Sequence, residues 1–263
     1  MYTFTYSAPA SVRGAATSLS KSAEAKILAG GQTLLPTMKQ RLANPGAIVD
    51  LRKAGLSGIE QKGRNVVIGA MTTHATVAAS AVVGELVPAL AHLANGIGDP
   101  AVRNRGTIGG SVANNDPAAD YPSACLALGA TIHTNQRKIA AADFFTGMFS
   151  TALEDGEIIT KISFPATKRA AYMKFPNPAS RYAMVGVFVA KRGRAVSVAV
   201  TGAGSGGVFR WTKAEEALSK RFAPKSLDGL AADPKMMLSD IHGSADYRAH
   251  LVGVMTRRAV EAA

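Results

Sequence analysis

The sequence predicts an α+β fold built from two domains, and three observations support this prediction. The chain has 263 residues, which is enough for two domains or one large one. Short strand-like and helix-like segments alternate near the N-terminus. Strands followed by helices fill the last hundred residues, a pattern typical of an α+β domain. The best boundary lies near residues 165–171, so we expect domains at 1–167 and 168–263.

The N-terminal domain divides further, into subdomains of about 1–55 and 56–167. A brief apolar run followed at once by Gly30 and Gly31 predicts a short buried strand. In the first subdomain we predict a helix over 11–25, a strand over 26–29, a helix over 33–42 and a strand over 47–51. In the second we predict strands over 65–70, 126–133 and 157–164, and helices over 76–80 and 88–94.

The C-terminal domain has two predicted strands, over 184–190 and 195–202, joined by the basic turn Lys191-Arg192-Gly193-Arg194. Helical patterns follow over 212–221 and 247–261. We therefore expect an antiparallel sheet with helices packed against it.

The composition narrows the class of protein. Apolar residues make up 47% of the chain, which indicates a soluble globular protein with a real core. The N-terminus lacks the pattern of a signal peptide, and no apolar stretch approaches the length of about 18 residues needed for a membrane span. We therefore expect a cytoplasmic protein. The one cysteine, Cys125, excludes an internal disulfide and an iron–sulfur or Cys-rich zinc site, and we predict that it is buried.

The charge is strongly positive and unevenly distributed. The net charge is +12. From Lys161 onward there are 17 Lys and Arg against 7 Asp and Glu, whereas residues 1–160 have 13 against 11. A solvated basic face, an acidic protein partner and nucleic acid are the three explanations. Nucleic acid is disfavoured because the basic residues are scattered or in pairs and exposed aromatics are not interleaved with them.

Two glycine-rich segments carry the chemistry. They are LAGGQTL at residues 28–34 and RGTIGGSVAN at residues 105–114. Glycines let the backbone approach an anion closely, and successive N–H groups or a helix N-terminus can then bind phosphate oxygens. Thr33, Thr107 and Ser111 can add hydroxyl donors. Two such segments in one chain suit a pyrophosphate held from two sides.

Alternative explanations exist for these glycines. Taken singly, each Gly-Gly pair is more often a tight turn after a strand. Neither segment matches the Rossmann or P-loop pattern, so the familiar nucleotide folds are disfavoured.

Three longer segments resemble a known family. AGGQTLLPTMKQRLANPGAIVDL (29–51), IGAMTTHATVAAS (68–80) and GDPAVRNRGTIGGSVANNDPAADYP (98–122) are similar to the medium, FAD-binding subunit of carbon monoxide dehydrogenase and its relatives in the xanthine dehydrogenase (molybdenum hydroxylase) family. FPNPASRYAMVGV (175–187) is a later landmark. The resemblance implies a two-part FAD-binding domain of the vanillyl-alcohol oxidase type, followed by a C-terminal α+β domain of the carbon monoxide dehydrogenase flavoprotein type.

The resemblance also implies a set of FAD-binding residues. The two glycine-rich segments would hold the pyrophosphate, Asp120 the sugar or adenine end, and the backbone near Ile158 and Ile159 would line the adenine or flavin cavity. Residues 71–74 and Tyr182 would lie near the flavin ring, with Lys174 as a polar contact. The complete set is Ala29, Gly30, Gly31, Gln32, Thr33, Leu34, Thr72, Thr107, Ile108, Gly109, Gly110, Ser111, Asn114, Asp120, Ile158, Ile159, Lys174 and Tyr182.

Several of these residues have structural alternatives. Asp120 could be a turn or helix-cap residue, Tyr182 a core residue on a strand, and Asp99-Pro100 a turn. For His74 we favour a position at a helix N-terminus without a ligand role. Ser111 stands where relatives have Asn, and its hydroxyl should still reach a phosphate.

The implied function is electron transfer within a complex. The FAD would take electrons from iron–sulfur clusters of a partner and pass them to an external acceptor, so we expect no catalytic acid–base residue and no metal site in this chain. The implied partners are a large molybdopterin-binding subunit and a small [2Fe-2S] subunit, with a dimer of heterotrimers as one arrangement. Carbon monoxide, aldehydes, purines and other N-heterocycles all remain open as substrates. The alternatives are a basic nucleic-acid-binding protein and a stand-alone flavin oxidoreductase.

Overall fold

The N-terminal unit is a three-stranded parallel sheet with two helices. A computed structural model describes residues 1–263. The elements are β1 (Thr5–Ser7), α1 (Val12–Leu19), β2 (Ala25–Leu28), α2 (Leu34–Lys39) and β3 (Ala47–Asp50). The strand order is β1-β3-β2, and β3 pairs in parallel with both neighbours. Parallel pairing needs crossover connections, which α1 and α2 provide. The glycine-rich segment 29–33 therefore joins the end of β2 to the start of α2.

The second unit is a five-stranded antiparallel sheet covered by helices, with strand order β4-β5-β10-β6-β7. The fourteen elements of this unit are β4 (Ile59–Lys62), β5 (Asn65–Gly69), α3 (His74–Ala79), α4 (Ala81–Leu86), α5 (Pro88–Asn95), α6 (Pro100–Arg103), α7 (Ile108–Asn114), α8 (Tyr121–Leu128), β6 (Thr131–Thr134), β7 (Lys138–Ala140), α9 (Ala141–Phe144), the two-stranded hairpin β8 (Phe145–Gly147) and β9 (Ser150–Thr151), and β10 (Ile159–Pro165).

The C-terminal unit is a four-stranded antiparallel sheet in the order β11-β12-β13-β14, with two helices. Its elements are β11 (Ala170–Pro176), β12 (Ala183–Arg192), β13 (Ala195–Thr201), β14 (Phe209–Arg210), α10 (Thr212–Lys220) and α11 (Ala245–Ala262).

This C-terminal sheet is buried on both faces. Val185 and Val187 of β12 lie in one apolar cluster together with Val252 of α11. Phe188 of β12 lies in the other, together with Leu128 of α8. Because side chains alternate across a strand, β12 contributes to the cores of both domains. The two domains therefore pack together through an apolar interface.

The strand predicted over 126–133 is confirmed only from Thr131 onward, and its first part is wrong. Helix α8 continues to Leu128, and β6 begins only at Thr131. Ala124, Cys125 and Leu128 are all fully buried, so this helix has no polar face from which a helical period could be read. Gly129 ends it in the left-handed region, at φ +61°.

The other predicted elements match the structure more closely. The strands predicted over 47–51, 184–190 and 195–202 are confirmed as β3, β12 and β13, within two residues at each end. The helix predicted over 11–25 is too long, because it ends at Leu19 and β2 already begins at Ala25. Cys125 is buried, as predicted. None of the helices combines the length and the apolar character required to cross a bilayer.

Candidate functional site

A cavity of about 620 Å³ lies where the three units meet. Ligand sites of small molecules and cofactors typically have volumes of this size. Its walls come from β2 and the start of α2, from the loops around α7, from the segment before β10 and from the loop between β11 and β12. The lining residues fall in the segments 26–37, 70–74, 97–120, 153–159 and 180–182, together with Leu51.

The two glycine-rich segments meet in this cavity. A Cβ atom on Gly30 would collide with the carbonyl oxygen of Arg105 and lie 2.7 Å from the Cα of Gly106. A Cβ atom on Gly110 would lie 3.3 Å from the side chain of Ala29. The absence of side chains at these glycines is therefore what allows the two loops to approach one another.

The first segment presents unused backbone donors. The N–H groups of Gly30, Gly31, Gln32 and Thr33 donate no hydrogen bond within the protein. Gly31 has φ +75°, a left-handed conformation that glycine adopts without strain. Successive N–H groups around such a residue can converge on an anion. Residues 30–33 thus form a cluster of four free donors on the cavity wall.

The second segment has already used most of its backbone donors, and the N–H group of Thr107 is the exception. The N–H groups of Ile108 and Gly109 donate to the carbonyl oxygens of Thr72 and Ala70, at 3.1 and 2.9 Å. The N–H group of Gly110 donates to Oγ1 of Thr107 at 3.2 Å, which caps α7. The second segment therefore offers fewer free N–H donors than the first, and a pyrophosphate held from two sides stays a prediction. This segment offers the hydroxyl groups of Thr107 and Ser111 and a surface without bulky side chains.

Asp120 is a buried carboxylate on the cavity wall, with 5% of its surface exposed. Its Oδ1 accepts hydrogen bonds from the hydroxyl of Tyr172 at 2.5 Å and from Nζ of Lys174 at 3.0 Å. Burial raises the pKa of Asp120, and the charge of Lys174 and the Tyr172 hydroxyl oppose that rise. Oδ2 of Asp120 accepts no hydrogen bond from the protein, so it is the oxygen available to a donor in the cavity.

His74 lies at the first position of α3 and also lines the cavity. Burial, together with the charge of Arg103, lowers the pKa of His74 to about 4, so the ring is neutral near pH 7. Its Nδ1 is buried without a hydrogen-bond partner, as is the hydroxyl of Tyr121, whose ring centroid lies 5.4 Å from that of His74. The sequence located His74 correctly at a helix start but could not reveal this buried, polar pair.

Tyr182 stands in the loop between β11 and β12, with half of its surface exposed. Asn177 closes this loop, because it donates its N–H to the carbonyl oxygen of Tyr182 at 2.8 Å and accepts from the N–H of Ala179 at 2.9 Å. Partial burial and the charges of Asp116 and Asp120 raise the pKa of Tyr182. The neutral phenol therefore faces the cavity across a wide pH range.

Three of the residues implied by the family resemblance do not line the cavity. Thr72 is buried, and its hydroxyl bonds to the N–H and the carbonyl oxygen of Gly58. Ile108 is fully buried in the core below α7. Lys174 donates to the carbonyl oxygen of Gly96 at 2.7 Å and to Asp120, so its ammonium group acts behind the cavity wall. The other fifteen residues line the cavity.

Glu157 is a lining residue that sequence reasoning missed. Its carboxylate accepts from Nε and Nη2 of Arg137 at 3.0 and 3.1 Å and from the hydroxyl of Thr134 at 2.7 Å. The hydrogen bonds from Arg137 are the main reason why the pKa of Glu157 falls to about 2. This pair anchors the backbone that leads into Ile158 and Ile159. Because its partners lie about twenty residues away in the sequence, no local signal could have identified it.

The cavity fits FAD better than a metal. No group of three or more His, Cys, Asp or Glu side chains is placed to bind a metal ion. Four free N–H donors, two hydroxyl groups and one free carboxylate oxygen instead match a ligand that carries an anionic group and sugar hydroxyls. These residues can bind and orient such a ligand.

Two family descriptions match the chain. The "FAD binding domain in molybdopterin dehydrogenase" matches residues 2–167, and the "CO dehydrogenase flavoprotein C-terminal domain" matches residues 170–263.

Curated relatives align over nearly the full length. The nicotine 6-hydroxylase medium subunit of Paenarthrobacter nicotinovorans is 37% identical, over 97% of this chain and 95% of its own. The carbon monoxide dehydrogenase medium chain of Afipia carboxidovorans is 38% identical, over 99% and 96%.

Solved structures share the whole fold. Carbon monoxide dehydrogenase from Hydrogenophaga pseudoflava superposes with a TM-score of 0.91 at 35% identity, covering 100% of this chain and 97% of the other. Quinoline 2-oxidoreductase from Pseudomonas putida 86 gives 0.88 at 31% identity, with the same coverage.

Proposed function

The chain belongs to the family of FAD-binding medium subunits of molybdenum hydroxylases, and from this we propose that the N–H groups of residues 30–33 hold the FAD pyrophosphate. The observation that carries the proposal is the run of four consecutive N–H groups without a partner on the cavity wall. Charge-assisted hydrogen bonds from backbone N–H to an anion are about twice as strong as neutral ones. The hydroxyls of Thr107 and Ser111 face the same ligand from the second loop.

We assign the remaining lining residues to the other parts of the cofactor. Oδ2 of Asp120 accepts a hydrogen bond from a hydroxyl at the sugar or adenine end. The wall at Ile158 and Ile159, held by Glu157, packs against a ring system. Tyr182, at the half-exposed end of the cavity, approaches the flavin ring.

FAD in this cavity would supply one-electron and two-electron redox chemistry. The residues of this chain bind the cofactor and orient it. We infer that electrons arrive from the iron–sulfur clusters of a small [2Fe-2S] subunit, after substrate oxidation on a large molybdopterin-binding subunit. They leave to an external acceptor.

Two measurements test this function. Heating or acidifying the purified chain should release one FAD per chain. The reason is that the lining residues described above hold the cofactor through hydrogen bonds and apolar contacts. Flavin that remains entirely with the precipitated chain would contradict non-covalent binding. In the natively purified protein, molybdenum and iron should co-elute with the flavin. A yellow protein that elutes alone and oxidises a substrate by itself would contradict the subunit function.

A further inference from the structure

Seven cations form a basic surface at one end of the C-terminal domain, which we name the basic end. Its members come from the start of β11, from the turn between β12 and β13 and from the end of α10. They are Lys168, Arg169, Lys191, Arg192, Arg194, Lys220 and Arg221.

Backbone and side-chain contacts gather these three segments. Ala170 pairs with Ala190 across β11 and β12, and the N–H group of Lys191 donates to the carbonyl oxygen of Arg169 at 2.8 Å. The N–H group of Val196 donates to the hydroxyl of Ser219, which ties the end of α10 to the start of β13. The fold therefore concentrates charges that are far apart in the sequence.

The cations of the basic end have no anionic partners in the chain. None of the seven forms an ion pair, whereas Arg137, Arg210 and Arg248 elsewhere in the chain each pair with a carboxylate. The segments 168–170, 190–195 and 217–225 contain no Asp or Glu. Like charges gathered in this way repel one another, and an anionic surface would relieve the repulsion.

The basic end is remote from the cavity. Tyr182 lines the cavity immediately before β12 begins, and Arg192 ends the same strand. At about 3.3 Å per residue, the ten residues of β12 separate the two by roughly 30 Å. A redox partner must deliver its electrons near the flavin, so the basic end does not serve as the point of electron entry.

We propose that an acidic face of a metal-carrying partner subunit docks on the basic end. This proposal rests on the function proposed above. The only aromatic residue among these segments, Phe222, is covered by the guanidinium of Arg169 at 4.6 Å and the ammonium of Lys191 at 5.1 Å from its ring centroid. The ring also packs against the apolar core of the C-terminal domain, so it is not an exposed platform on which nucleic-acid bases could stack. The proposal accounts for the excess of positive charge after residue 160.

Charge reversal tests this docking surface in the co-expressed complex. The variant combines Arg194→Glu with Arg221→Glu, two exposed residues without side-chain hydrogen bonds. The matched control combines Arg13→Glu with Lys21→Glu, which changes the net charge equally on the exposed surface of the N-terminal unit. Size-exclusion chromatography at ionic strengths of about 50 and 500 mM, with and without prior nuclease treatment, gives the molybdenum and iron that co-elute per FAD. Screening is far stronger at the higher value.

We expect the Arg194/Arg221 variant to keep its FAD and thermal midpoint but to dissociate from the metal-carrying subunits at least tenfold more readily at low salt. The control should assemble like the wild type, and high salt should weaken the wild-type complex too. If the variant assembles normally at both ionic strengths, the docking surface is wrong although the subunit function stands. A different outcome is a wild-type chain that needs the basic end to retain the metal-carrying subunits but loses them after nuclease treatment. In that case nucleic acid is the occupant of the basic end, and the proposal fails. If the wild type never carries metal, the subunit function fails first.

Discussion

The hydroxyl of Tyr172 donates a hydrogen bond of 2.5 Å to Oδ1 of Asp120, across the interface between the two domains. Tyr172 belongs to β11 of the C-terminal domain, whereas Asp120 lines the cavity at the start of α8. The bond occupies one carboxylate oxygen of this lining residue and leaves the other without a hydrogen-bond partner in the protein. The C-terminal domain therefore helps to orient the carboxylate of Asp120, which belongs to the N-terminal domain.

Replacing Asp120 should weaken FAD binding without unfolding the chain. In Asp120→Asn a neutral amide replaces the charged acceptor, and we expect the Kd for FAD to rise about tenfold, the equivalent of about 1.4 kcal/mol. Tyr172→Phe removes only the positioning hydrogen bond, and we expect a smaller rise of about three- to tenfold. Fluorescence titration of the FAD-free chain measures both. Asp155→Asn, on an exposed turn, is the control. Unchanged affinity in both variants would show that Asp120 only supports the fold.

Valine at Gly31 or Gly110 should empty the cavity while the fold survives. A Cβ atom on Gly31 would need φ near +75° and lie 2.8 Å from Leu35, and one on Gly110 would lie 3.0 Å from Oγ1 of Thr107. A β-branched residue resists the backbone conformation of Gly31, and at Gly110 its bulk intrudes on the space between the two loops. We expect the ratio of FAD to protein to collapse in both variants. Gly84→Val is the matched control, because open space surrounds that exposed glycine. Full flavin occupancy at both positions would mean that these loops are only turns.

The sequence predicted the loops of this site better than their chemistry. Both glycine-rich segments line the cavity, and the Gly-Gly pairs alone suggested an anion site. Which loop has free N–H groups depends on tertiary contacts, since the carbonyl oxygens of Thr72 and Ala70 take up the donors of Ile108 and Gly109. Residue types along the chain do not encode such competition. The same limit explains the error at α8, where complete burial removed the helical period.

The pair formed by Glu157 and Arg137 should make the chain acid-sensitive in a defined range. The pKa of Glu157 falls from an ordinary value of 4.5 to about 2 in the folded chain. Its contribution to stability is therefore complete above about pH 4.5 and is lost as the pH falls towards 2. The thermal midpoint of Glu157→Gln should lie below that of the wild type at pH 7, and the difference should shrink steadily as the pH falls from about 4.5 towards 2. A constant difference at every pH would contradict this role.

His74 should impose a second pH dependence in a higher range. An unfolded chain takes up this proton near pH 6.5, whereas burial delays uptake in the folded chain to about pH 4. Stability should therefore decline as the pH falls from about 6.5 to 4. In His74→Leu that part of the slope should disappear, as measured by urea unfolding at several pH values. His242→Leu, at an exposed histidine, should keep the wild-type slope. Identical slopes in all three proteins would show that His74 titrates normally.

The most direct test of the account compares the affinities of the FAD-free chain for FAD and for riboflavin, which lacks the pyrophosphate and the adenosine. If the free N–H groups of residues 30–33 hold the pyrophosphate, FAD should bind at least about a hundredfold more tightly, since hydrogen bonds to a charged group each contribute about 1.5–3 kcal/mol. Gly31→Val should remove most of that advantage and leave riboflavin binding nearly unchanged. Equal affinities for the two flavins in the wild-type chain, or equal losses for both in Gly31→Val, would contradict the account.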